Sequence, residues 1–139
     1  MGAKSRRKGA RGELELVAAL LPIFPMARRG LGQTRGGQDG PDVEGCEPFW
    51  FESKRQKRPN ILAALAQAIG DMGNANDPGM RWPVAVTRRD RAEPLATMRL
   101  SDFLELVHQW RKYEAAVIAQ AKAVAITESG TDDKVVSNG

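Results

Sequence analysis

The chain has 139 residues, 42% of them hydrophobic and 27% charged, the proportions of an ordinary folded protein and not of a disordered one. That length suits one compact domain, and uncharged stretches such as Leu16 to Ala27, with its two prolines, fall short of the roughly 20 apolar residues that a membrane span needs. Lys and Arg outnumber Asp and Glu 21 to 17, a net charge of +4, while the single cysteine, Cys46, excludes an internal disulfide and a cysteine-based zinc site. No short apolar segment with a small-residue cleavage site follows the basic N-terminus, so neither a secretory leader nor membrane insertion is expected, and a reducing cytoplasm is the expected compartment.

The first twelve residues carry Lys4, Arg6, Arg7, Lys8 and Arg11 before any acid and read as a flexible basic arm. One domain is expected over 13–125, followed by a polar, disordered tail over 126–139. From Glu13 to Leu21 the positions Leu14, Val17, Ala18 and Leu21 recur at helical spacing, with Leu16 and Leu20 widening the stripe. Pro22 and Pro25 end that helix. Met26 to Arg29 predicts a short strand, and Gly30 to Gly40 a loop. A strand beginning at Asp42 to Glu44, a turn at Gly45 and a second strand from Pro48 to Lys54 form a hairpin. Along the second strand Phe49, Phe51 and Ser53 share one face, and Trp50, Glu52 and Lys54 the other.

Pro59 suits the first turn of a helix through Ile61, Leu62, Leu65, Ile69 and Met72, ending in a Gly73 to Gly79 loop. Trp82 to Thr87 predicts a buried strand, and a basic loop from Arg88 to Pro94 separates it from a further strand, Leu95 to Leu100. Ser101 is the expected N-cap of a last helix reaching about Ala125, with Phe103, Leu106, Val107, Trp110 and Tyr113 as a core-facing stripe. Helices and strands alternating in this way predict an α/β domain: a mixed sheet flanked by helices, with a long C-terminal helix that could protrude and support self-association.

The basic residues cluster at the N-terminus, at Arg28, Arg29 and Arg35, at Lys54, Arg55, Lys57 and Arg58, and at Arg88, Arg89 and Arg91. Guanidinium groups contact phosphate oxygens in pairs, so four such runs in a small domain point to nucleic acid. The residues expected on backbone phosphates are Arg6, Arg7, Lys8, Arg11, Arg28, Arg29, Arg35, Arg55, Lys57 and Arg58.

Glu13, Asp42, Glu52 and Lys54 carry the chemistry. Phosphodiester hydrolysis needs hard divalent cations held by carboxylate oxygens, and a lysine beside them can orient water and add positive charge at the phosphate. An acid and a lysine two apart on a strand project side by side, and a hairpin brings Asp42 close to Glu52. The chain holds two acid-x-Lys triplets, Glu52-Ser53-Lys54 and Asp132-Asp133-Lys134; the second lacks an apolar strand and an upstream Pro-Asp pair, which leaves the first. Glu15 competes with Glu13 and Asp39 with Asp42, while Glu44, two residues beyond Asp42 on the same strand face, is a candidate minor ligand. His108, the only histidine, reads as a packing or surface residue. Trp50 walls a pocket, stacks a nucleotide or packs in the core, Trp82 and Trp110 read as core or dimer-interface residues, and Cys46 as incidental to the turn.

Together, Glu13, Pro41-Asp42 and Glu52-Ser53-Lys54 resemble the signature of the PD-(D/E)xK nuclease superfamily, and within it the small Holliday junction resolvases of archaea and phages. Arg7-Lys8-Gly9 ahead of Glu13, the Arg28-Arg29 strand, the Gly-rich loop and Gln67 on the following helix extend the likeness over roughly Ser5 to Leu106. The resemblance implies a restriction-endonuclease-like core and Mg²⁺, for which Mn²⁺ substitutes, on Asp42, Glu52 and the Ser53 carbonyl, supported by Glu13. It implies that Lys54 positions the attacking water and that Gln67 hydrogen-bonds within the site. It further implies a homodimer cutting DNA four-way junctions and a phage or prophage origin in a bacterial host. Some members carry a serine in the loop before Pro-Asp, where this chain offers Thr34. The same core serves nucleases of duplex, flapped or single-stranded DNA, and the basic surface alone would serve a non-catalytic nucleic-acid-binding protein.

Overall fold

A computed structural model of the chain describes residues 2–30 and 40–136, with side chains described up to residue 130. The chain divides into two compact units, residues 1–98 and 99–139. The first holds α1 (Gly2–Leu20), β1 (Arg28–Arg29), β2 (Val43–Glu44), β3 (Phe49–Gln56), α2 (Ile61–Ala75), β4 (Trp82–Arg89) and β5 (Leu95–Thr97); the second is α3 (Leu100–Val136). The strands form one mixed sheet in the order β1-β2-β3-β4-β5. Only β3 and β4 are parallel, and α2 is the crossover that a parallel pair requires. The α/β class expected from the sequence is the one observed.

Several boundaries differ from expectation; β3 runs to Gln56 and β4 to Arg89, past the expected ends at Lys54 and Thr87, because their parallel pairing continues through both strands. The first helix starts at Gly2 instead of Glu13. Lys, Arg and Ala are good helix formers, and no proline interrupts this stretch, so local propensity favours helix where charge suggested a loose arm. The helix through Ile61 is capped by Asn60, whose side chain accepts from the Ala63 amide at 3.0 Å, and it runs on to Asn76, left-handed at φ 50°. Residues 73–75, expected in a loop, are therefore helical. The last helix begins at Leu100, which shortens the strand before it to Thr97 and places Ser101 inside the first turn. It continues through Val136, beyond the expected end near Ala125, because the alanine-rich stretch after Tyr113 contains no proline.

One face of the sheet carries the hydrophobic core. Leu16, Val17 and Leu20 of α1 pack with Phe24 against Ala27, Val43, Cys46, Phe51 and Val84. Phe49 stacks on Phe51 at 5.7 Å and meets Trp82 at 5.1 Å between ring centroids. Cys46, read as incidental, is fully buried in this core. Leu14 and Leu21, expected on the buried stripe, are exposed instead. Strand alternation turns Trp50 and Glu52 to the opposite face, and α2 packs over β3 and β4 with Ala64 and Ala68 buried.

In the second unit, Arg99 pairs with Asp102 at 2.7 Å and Arg111 with Glu114 at 2.9 Å. Phe103, Trp110 and Tyr113, expected to face a core, are exposed, Trp110 at 55% and Tyr113 at 70%. A unit made of one helix has no second element of its own to bury such a stripe. Among the described residues no helix is long and apolar enough to cross a membrane.

Candidate active site on the β2–β3 fork

Strands β2 and β3 pair antiparallel through Val43 and Phe51, so the next residues along, Asp42 and Glu52, become neighbours. There the ladder changes. The Asp42 amide donates to the Phe51 carbonyl at 3.0 Å, and the Asp42 side chain takes the place of a backbone acceptor, receiving the Ser53 N–H at 2.7 Å. One carboxylate oxygen is thereby fixed to β3. The Gly30 amide donates to the Asp42 carbonyl at 2.9 Å, and a Cβ on Gly30 would lie 2.2 Å from the Pro41 oxygen, so only glycine allows this approach.

Glu13 arrives from α1. Gly12 lets the helix lie directly on β3, since a Cβ there would stand 2.9 Å from the Arg55 Cβ. The next residue, Glu13, is then buried, and its Oε2 accepts from the Arg29 Nε of β1. Lys54 Nζ stands 3.3 Å from Glu52 Oε1, as an acid and a lysine two apart on one strand face should.

These carboxylates are unusually dry. Asp42 and Glu52 are each only 4% exposed. Burial first, then the neighbouring Asp42 charge, pushes the Glu52 carboxyl up to about 7, against the partial offset of Lys54. Asp42 is also raised, by burial and by the charge of Glu13, with the Ser53 N–H opposing. A further acid, Asp71 of α2, raises both. Sequence reasoning missed Asp71, although it is the only ionisable residue in α2.

The remaining expected site residues are distributed otherwise. Gln67 is exposed on α2, one turn before Asp71. Glu15 is separate from the cluster, bound to Arg55 at 2.6 Å and to Arg88. Arg28 pairs with Glu44 at 3.2 Å, and Lys8 with Asp90 at 2.6 Å. Several cations assigned to phosphate thus hold acids of the protein itself, the exposed Arg11 among them, 3.5 Å from Glu15, whereas Arg6, Arg7, Lys57 and Arg58 are exposed. Arg35, Thr34 and Asp39 lie outside the described residues. Trp50 is buried, and its Nε1 has no hydrogen-bond partner among the described residues. An open cavity of about 370 Å³ lies on the α1 face instead, lined by Leu16, Leu20, Phe51 and Val86 with Glu15, Arg55 and Arg88 at its polar side.

Among the described residues no three His, Cys, Asp or Glu side chains converge closely enough to hold a metal alone. The donors at the fork are hard oxygens, those of the Asp42 and Glu52 carboxylates. That set fits Mg²⁺, which takes one or two carboxylates and completes its shell with water and substrate phosphate. Compared with family models, with curated proteins and with solved structures, the chain finds no match.

Proposed function

We propose that the chain is a divalent-metal-dependent DNA endonuclease that hydrolyses phosphodiester bonds, acting as a homodimer on four-way junctions. The observation that carries this reading is the side-by-side burial of Asp42 and Glu52 with Lys54 as their nearby cation. Two buried like charges destabilise a fold unless a proton or a cation joins them, and a pair that lacks a matching guanidinium supports an ion-binding role.

When bound, Mg²⁺ supplies a water of lowered pKa and positive charge for the phosphate. Asp42 is held by the Ser53 amide, which fixes the direction of its carboxylate. Glu52 offers an acceptor that Lys54 keeps oriented, and the Lys54 ammonium can hold a water or a phosphate oxygen beside it. Glu13 and Arg29 brace the entry of α1 against β1 and add a buried charge next to Asp42. The exposed Arg6, Arg7, Lys57 and Arg58 suit backbone phosphates, contacts that bring affinity without reading sequence. An enzyme that selects a junction by shape and not by sequence would use such contacts.

The test is a gel assay on a labelled four-way junction, its duplex arms and its single strands, in Mg²⁺ or EDTA, with Lys54→Ala and Asp42→Ala alongside. Paired nicks in the junction alone are expected, absent in EDTA and reduced about 10³-fold or more in each variant. Equal cutting of all substrates would keep the nuclease and discard the junction. Tight binding with no cutting would leave a nucleic-acid-binding protein.

A further inference from the structure

In α2, Ala64, Ala68 and Asp71 follow at i, i+4 and i+7 and so share one stripe of the helix. Both alanines are buried where the helix packs over β3 and β4, and Asp71 itself is half-buried. The rest of α2 is uncharged. A third acid placed toward two buried carboxylates adds repulsion that closing the sheet does not require, and alanine serves that purpose at the two preceding positions. Because α2 packs over β3 and β4 on the side to which Glu52 is turned, the stripe of Ala64, Ala68 and Asp71 faces that side of the sheet.

We propose that Asp71 is a positioning residue of the fork, its carboxylate accepting hydrogen bonds from water carried by the divalent cation held at Asp42 and Glu52. The inference rests on reading that pair as a metal centre, and it adds a residue from the crossover helix. Direct ligation is not required: no three acids of the described residues come within joint reach of one ion, and Mg²⁺ keeps several of its waters. Outer carboxylates that orient such waters change metal affinity by about 10–100-fold. The role also explains why an otherwise small, neutral helix carries one acid, on its sheet-facing stripe.

The test is calorimetric titration of Mn²⁺ alone into the full chain without DNA, for the wild type, Asp71→Asn, Asp71→Glu and Asp42→Asn. Melting in EDTA is measured for each. Asp71→Asn should weaken Mn²⁺ binding about tenfold, Asp71→Glu should recover most of it, and Asp42→Asn should abolish it. In EDTA, Asp71→Asn should melt no lower than the wild type, since it removes a like charge. Wild-type affinity in Asp71→Asn would overturn the role of Asp71 and leave the metal centre standing. A lower melting temperature in EDTA, with affinity lost in the same proportion in Asp71→Glu, would overturn it in favour of a structural role. No Mn²⁺ binding by the wild type would overturn the metal centre and the role of Asp71 together.

Discussion

The two faces of the central sheet treat a carboxylate in opposite ways. On the α1 face, Glu15 stands between Arg55 and Arg88. Burial raises its pKa, but the hydrogen bonds and charges of the two guanidiniums outweigh that and hold the carboxyl below its ordinary range. On the other face, Glu52 stands beside Asp42, within the field of Asp71, with Lys54 as its cation, and it rises to about 7. The same residue type thus sits in a matched network on one face and in an unmatched one on the other. Matched charges hold α1 to the sheet, and the unmatched, buried carboxylates are the ones that the proposed divalent cation would balance.

The sharpest break of this contrast is at Glu52. In the metal-free protein its folded pKa of about 7 lies above the ordinary 4.5. The native state therefore holds the proton more tightly, and stability should fall as pH rises from 4.5 to 7 and stay level beyond. The loss attributable to this group is about 3 kcal/mol. Glu52→Gln should abolish that fall, as read from denaturation midpoints in EDTA across the same pH range; parallel wild-type and variant profiles would show that Glu52 is not the strained group.

Next in size is the contact that sets α1 on β3. Gly12→Ala places a Cβ 2.9 Å from the Arg55 Cβ. The helix must lift or tilt, which should destabilise the protein by about 1–3 kcal/mol in urea denaturation. Because Glu13 follows directly, cleavage should fall as well, and an unchanged rate would separate Glu13 from the site.

The smallest effect belongs to the matched network. Glu15→Gln leaves Arg55 and Arg88 without their shared carboxylate, and the network is partly exposed to water. A loss of about 0.5–1 kcal/mol at neutral pH is expected. The sign with pH is opposite to that of Glu52. A lowered carboxyl loses its stabilising charge as pH falls through its folded pKa, so wild type and variant should converge in acid. High salt should narrow the difference too.

Much of this was legible in the residues. Alternation along Phe49 to Lys54 assigned Glu52 and Lys54 to one face, since a strand has period two whatever it packs against, and the observed ion pair agrees. The hairpin spacing brought Asp42 to Glu52 for the same local reason. The N-terminal arm was misread because its charge suggested solvation, whereas helix propensity depends on the backbone and on the absence of proline. The stripe from Phe103 to Tyr113 has helical spacing, which establishes a helix but not a partner for its face.

The sequence by itself determined the local periods: the central stretches of the strands and helices, which side of β3 carries the acid and the lysine, and how much positive charge the chain holds. These follow from neighbours a few residues apart. Only the tertiary structure decided the pairings across long separations: Glu13 with Arg29, Glu15 with Arg55 and Arg88, and Asp71 brought near Asp42 and Glu52. It also decided that Glu52 is dry enough to rise to about 7. Coulomb interactions and desolvation act through space and depend on what covers a group, which linear spacing does not contain.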